Sequence, residues 1–343
     1  MPSVPFEVLK ESYLLKSTFF YNKLRAGGYF QLFAQMQSYS KLEGAKLNWA
    51  KYPEWRISES AWEIIKSSGI DPVLAFAHPK VIQLNPATLK YYRSVAMLPQ
   101  KGLIALARVG NVPKIENGAI EAGKLPTETV IRLVSVINEV QSLVLTMASD
   151  ISTDELRGMM YATAGTNIEG SWRNSIGAEG ERVIKKIIVR ELIANGDVSS
   201  FCDKKNRSMP INELGSCDAE EYIDNLRSVN LVNGYTLLFS SEPDIVMYDD
   251  TGAIVGAVEI KAGLDPSAAL ERLGAMLKSF ENTLAEYPNA TTILIASCIT
   301  DEVEARLSAS MTVRQKYVTT QITSSDSSQR KFANRIRKVL NLV

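Results

Sequence analysis

The chain has 343 residues, 45% of them hydrophobic and 22% charged, which is the composition of a folded globular protein and not of a disordered or fibrous one. That length predicts two domains. Lys and Arg together number 38 and Asp and Glu together number 38, so a uniformly basic surface is excluded and any binding of nucleic acid must rest on locally gathered charge.

The first half reads as helical. Apolar residues recur every three to four positions through residues 8–33, 61–70 and 130–147. Ser58 and Ser60 are placed to cap the second of these helices and Gly69 to close it. Residues 89–98 continue helical until Pro99 stops them. The stretch 130–147 is a buried helix and not a membrane span, because Arg132, Asn138, Glu139 and Gln141 interrupt it. Residues 165–177, rich in Gly, Asn and Ser, are expected to mark the boundary between a helical domain over residues 1–165 and a second domain over residues 166–343.

The second half changes character. A helix over about 178–194 carries Val183, Ile184, Ile187, Ile188 and Leu192 on one face. Strand-like runs follow at 235–240, 244–248 and 253–261, the last two joined by Asp249-Asp-Thr-Gly252. Asp265 and Pro266 then open an amphipathic helix whose inner face is Leu273, Leu277, Phe280 and Leu284. A buried strand at 292–298, a short helix, a strand near 317–323 and a terminal helix from about Ser328 complete the order. The class is α/β: a mixed sheet flanked by helices, preceded by a mainly helical N-terminal domain.

Three charged residues in the hairpin stand out. If Thr251 and Gly252 form a two-residue loop, paired positions sum to 503, and Asp244 faces Glu259; a three-residue loop would break that opposition. Alternation puts Lys261 on the face of Glu259, with Ile260 directed to the core. The flanking runs, residues 245–247 and 254–258, are apolar, as in a strand covered on both sides. Charges at the mouth of such a strand are costly unless they are paired or bind a metal. Two carboxylates about 5 Å apart, with the Ile260 carbonyl as third ligand, suit a hard divalent cation such as Mg²⁺. Lys261 is a point charge able to orient a water or to stabilise a phosphoryl oxygen.

Pro243-Asp244, fourteen intervening residues and Glu259-Ile260-Lys261 resemble the signature of the PD-(D/E)XK nucleases, and the element order around them is similar to that superfamily's restriction-endonuclease-like core. The resemblance implies metal binding by Asp244 and Glu259 and assistance by Lys261 in hydrolysing DNA to 5′-phosphate ends. It implies Mg²⁺ as cofactor, with Mn²⁺ able to substitute and Ca²⁺ able to bind without supporting cleavage. A third acid is expected on the helix before the strands, where Glu181 lies on the apolar stripe and Glu179 is the alternative. Together with Tyr91-Tyr-Arg93, Gln100-Lys-Gly102 and Val258-Glu-Ile-Lys-Ala-Gly263, the motif is similar to type II restriction endonucleases of the XcyI-like group. Such enzymes act on double-stranded DNA as homodimers. The same superfamily also contains repair and recombination nucleases, and its fold can serve a catalytically silent DNA-binding protein.

DNA contacts are expected from Arg173, Lys204, Lys205 and Arg207, and from Tyr92, Arg93 and Lys101 in the N-terminal region, where the aromatics can equally fill the helical core. A single histidine, His78, excludes a histidine-based metal centre or catalytic triad. No Walker-type loop is present, so ATP is not expected as a partner. Cys202, Cys217 and Cys298 show no paired spacing, and the N-terminus lacks secretory character. Both fit a cytoplasmic protein with no membrane partner.

Overall fold

The computed structural model describes residues 6–148, 150–211, 223–264 and 269–343, with the backbone alone for 269–272 and 275. Asp265 and Pro266, expected to open a helix, and Cys217 lie outside the described residues. The chain divides into two compact units, Leu15–Trp172 and Arg173–Val343, the latter joined by the segment up to Leu14.

The helical unit comprises most of α1 (Phe6–Ala26), then α2 (Tyr29–Glu43), α3 (Glu59–Ser67), α4 (Pro72–Ala75), α5 (Pro79–Leu84), α6 (Leu89–Val95), α7 (Gln100–Ala107), α8 (Val112–Glu116) and α9 (Thr127–Leu145). The periodicity over residues 8–33 is two helices, because Gly28 takes a left-handed φ of 70° between them. Ser58 caps α3 by accepting from the Ala61 N–H at 3.2 Å, and Gly69 ends it at a φ of 69°. Helix α9 buries Val130, Leu133, Val134 and Ile137. Its buried Asn138 exchanges two hydrogen bonds with the Ala77 backbone, at 2.8 and 3.0 Å, which removes the penalty of an amide in the core.

Helix α10 (Thr153–Ala194) runs through residues 165–177 without interruption, and the division between the two units, after Trp172, falls within that passage. Glycine and asparagine lower helix propensity by about 1 kcal/mol or less per residue, which packing elsewhere along a long helix outweighs.

The second unit holds β1 (Val198–Asp203), β2 (Ser208–Pro210), β3 (Leu226–Leu231), β4 (Thr236–Phe239), β5 (Ile245–Tyr248), β6 (Ile254–Lys261), α11 (Ala269–Glu286), β7 (Thr291–Ala296), α12 (Asp301–Ala309), β8 (Gln315–Val318), α13 (Thr319–Thr323) and α14 (Asp326–Val339). Among the described residues the strands form one sheet in the order β2-β1-β3-β4-β5-β6-β7-β8. Pairing is antiparallel from β2 to β6 and parallel across β6-β7-β8. β1 to β3 were not foreseen, and the strand expected near 317–323 ends at Val318, where α13 begins.

One face of the sheet, with Ile245, Met247, Val258, Ile260, Ile293 and Ile295, packs on Ile184 and Ile188 of α10 and on Phe332 and Ile336 of α14. The opposite face, with Ala257, Leu294 and Ala296, packs on Leu273, Met276 and Phe280 of α11 and on Val303 and Leu307 of α12. Burial of each such large side chain stabilises the layer by about 1.5–3 kcal/mol. This two-sided cover is why β5 to β7 read as nearly continuous apolar runs.

The β5–β6 turn differs from the expected two-residue loop. Asp249 N–H bonds the Ala253 carbonyl at 2.9 Å, leaving residues 250–252 in the loop. The Asp249 carboxylate accepts from the N–H groups of Thr251 and Ala253, and Gly252 sits at a φ of 83°. Tyr248 pairs with Ile254 but Met247 with Gly256, so Val255 is an extra bulged residue. The bulge restores the sum of 503, which holds through Ile245 and Val258.

Candidate active site

One step beyond that last pair, Asp244 stands opposite Glu259, and alternation places both, with Lys261, on the face of the sheet that α11 covers. Asp244 follows the cis peptide Glu242–Pro243. It is 5% exposed and Glu259 2% exposed. The Asp244 carboxylate accepts a 2.7 Å hydrogen bond from the Ile260 N–H. Lys261 Nζ donates to the Glu259 carboxylate and lies 3.8 Å from Asp244 Oδ2. Two nearly inaccessible acids are thus neutralised in part by one ammonium.

Burial dominates the electrostatics of Asp244 and lifts its carboxyl to about 7. The Ile260 N–H and the Lys261 charge oppose that rise, while Glu259 and Glu181 add to it. Burial alone would depress the Lys261 ammonium. The hydrogen bond with Glu259 and the charges of Asp244, Glu259 and Glu181 outweigh it, and Lys261 is held above its ordinary value.

Backbone direction supplies a further oxygen. The Lys261 carbonyl accepts from Ser297 N–H on the β7 side at 3.0 Å. Backbone groups alternate between strand edges, so the Ile260 carbonyl leaves toward the edge carrying Asp244. Asp244, Glu259 and that carbonyl therefore meet at one end of the β5–β6 pair. Among the described residues no group of three or more His, Cys, Asp and Glu has metal-binding geometry. A cation here would rest on two carboxylates, the carbonyl and further oxygens from outside the protein.

Of the two candidate glutamates, Glu179 and Glu181 on α10, Glu181 is the one whose charge reaches Asp244 and Lys261. Its side chain is 33% exposed against 62% for Glu179, which pairs with Arg182. Gly180 makes the approach possible, since a Cβ there would stand 2.0 Å from the Cβ of Ala262. Lys185 bridges to Glu181 at 3.1 Å and covers the Phe239 ring at 5.3 Å. The four-residue spacing of Glu181 and Lys185 on one helix was the signal for that pair.

The remaining expected contacts divide. Lys204 and Lys205 are exposed on the β1–β2 turn, which Asp203 organises through the N–H groups of Lys205 and Arg207. The same carboxylate holds the Arg207 guanidinium at 2.7 Å. Arg173 and Lys101 are exposed on α10 and α7. Tyr92 and Arg93 correct the expectation. Tyr92 is fully buried, and Arg93, 2% exposed, bonds Glu116 and the Leu98 carbonyl. A buried guanidinium must be paired to be tolerated, so both residues serve the helical core and neither is free to meet DNA.

Among the described residues no helix is long and apolar enough to cross a membrane. A model of the XcyI restriction endonuclease family matches residues 54–343. The type II restriction enzyme XcyI of Xanthomonas campestris pv. cyanopsidis is 26% identical over 224 residues, 62% of this chain and 60% of that enzyme. The type II restriction enzyme Cfr9I of Citrobacter freundii is 24% identical over 223 residues, 62% of this chain and 61% of its own length. The matched stretch thus spans about three fifths of each relative. Since the family match takes in most of the chain, including the whole sheet and the paired acids at its β5–β6 end, the chain belongs to the XcyI restriction endonuclease family.

Proposed function

We propose that this protein is a type II restriction endonuclease that hydrolyses double-stranded DNA at a specific sequence with Mg²⁺, leaving 5′-phosphate ends. The observation that carries the reading is the convergence of buried Asp244 and Glu259 with Lys261 at one end of the β5–β6 pair. Nothing in folding calls for three charges there, and burial costs them dearly.

The donor set fits Mg²⁺. This ion is held through one or two carboxylates, keeps several waters and completes its shell with substrate phosphate oxygens. Asp244, Glu259 and the Ile260 carbonyl would hold it. Bound there, it supplies Lewis-acid polarisation of the scissile phosphate and neutralises charge on the leaving oxygen. Lys261, kept protonated by its carboxylate neighbours, acts as a fixed positive charge and donor and not as a base. It orients the attacking water or stabilises the phosphoryl oxygen as the phosphorus–O3′ bond breaks. Glu181 is the further acid of the site, raising its negative potential from α10. Asp244 is held in position by the Ile260 N–H, so this one carboxylate would be oriented before a cation arrives.

The helical unit, with Lys101, and the turn bearing Lys204, Lys205 and Arg207 are assigned to DNA positioning and to assembly of a homodimer. Incubating the purified protein with Mg²⁺ and plasmid DNA tests the reading. Discrete fragments are expected; a smear would indicate cleavage without sequence preference, and intact plasmid would refute nuclease activity.

A further inference from the structure

On the face of the sheet that carries the paired acids lies a cleft of about 500 Å³ lined by Glu242, Pro243, Ile254 and the Lys278, Ser279, Asn282 and Glu286 edge of α11. The Val255 bulge is what turns Ile254 to this face. Ile254 pairs with Tyr248, which alternates with Val246 and Asp244, so the floor of the cleft and the acids share one side of β5 and β6. Pro243 and Glu242 immediately precede Asp244, so the lining of the cleft adjoins the paired acids along the chain.

Its lining is mixed in a way that narrows the occupant. A groove holding only a phosphate backbone would be expected to carry cations and donors, yet here Glu242 and Glu286 stand with Lys278. Asn282 offers both a donor and an acceptor. The Ser279 hydroxyl is buried beside them and has no hydrogen-bond partner among the described residues, which is costly unless a ligand supplies one. Pro243 and Ile254 add apolar surface. Carboxylates that accept from amino groups, an ammonium and an amide that face ring nitrogens and carbonyls, and apolar contact for ring carbons or a methyl are the complement of base edges.

Resting on the nuclease reading, we propose that this cleft is a specificity subsite in which Lys278 and Asn282 read the edge of a base pair close to the scissile phosphate. Both side chains are exposed, so their removal leaves the fold and the metal site in place.

The test is to cleave a randomised duplex DNA pool with the full-length protein and with Lys278→Ala and Asn282→Ala variants in Mg²⁺, and to sequence the cut ends. Wild type should yield one recurring sequence. Each variant should cut the same sequence but accept other bases at one position, its preference there falling roughly 10-fold or more. Unchanged preference at every position would overturn the subsite. So would an equal loss of rate on all sequences, which marks a phosphate contact only. Wild-type protein that cuts nothing, or cuts without a recurring sequence, would overturn the restriction reading itself and the subsite with it.

Discussion

Replacing Asp244 by Asn should make the metal-free protein more stable while removing its activity. Burial lifts this carboxyl from 3.8 to about 7, so the folded state binds the proton more tightly than the unfolded chain does. The stability conferred is complete below about 3.8 and is lost as pH rises through about 7. That gap, at about 1.4 kcal/mol per pH unit, amounts to at most about 4 kcal/mol lost at pH 8. An amide carries no charge to desolvate, and its oxygen still accepts the 2.7 Å hydrogen bond from Ile260 N–H. Urea unfolding in a chelator should show Asp244→Asn more stable than wild type at pH 8, by an amount that shrinks toward zero at pH 4. Adding Mg²⁺ should stabilise wild type and leave the variant unmoved. A variant less stable than wild type at pH 8 without metal would refute the claim that Asp244 is a desolvated acid held for a cation.

Further outcomes follow from the same geometry. Because protonated Asp244 is a poor ligand, Mg²⁺ affinity measured by calorimetry without DNA should fall about tenfold per pH unit below about 7, and a flat profile from pH 5.5 to 8 would contradict this. Glu181→Gln should slow cleavage more than Glu179→Gln, since only Glu181 acts on Asp244 and Lys261; the reverse order would reassign the third acid. Gly180→Ala places a Cβ against Ala262 and should cost about 1–3 kcal/mol as overpacking, read as a lower urea midpoint. An unmoved midpoint would show that α10 does not approach the end of β6 as described.

Much of the sheet-bearing unit was legible because its central strands are covered on both faces. Uninterrupted apolar residues at 245–247 and 254–258 fit such strands, and charges ending them draw attention. The opposition of Asp244 and Glu259 was read through the wrong turn. The loop has three residues, not two, and a bulge at Val255 cancels the difference, a compensation that no spacing argument reveals. β1 and β3 escaped because Val198-Ser-Ser-Phe-Cys-Asp203 and Leu226-Arg-Ser-Val-Asn-Leu231 bury residues irregularly, without the alternation that marks a strand. Tyr92 and Arg93 looked like a nucleic-acid-binding pair because residue type alone says nothing of burial. The partner that allows Arg93 inside, Glu116, lies 23 residues away. Residues 165–177 are helical because weak helix formers end a helix only when packing does not hold it.

The central claim is that Asp244, Glu259 and Lys261 form a metal-dependent phosphodiesterase centre. It is tested most directly by single-turnover cleavage of one cognate duplex, bound in Ca²⁺ and started with Mg²⁺, comparing wild type with Glu259→Ala and Lys261→Ala. Each variant should remain folded and lose a factor of about 10² or more in rate, with Glu259→Ala also losing metal affinity. Either folded variant cutting at more than about a tenth of the wild-type rate would contradict the assignment of that residue to the chemistry.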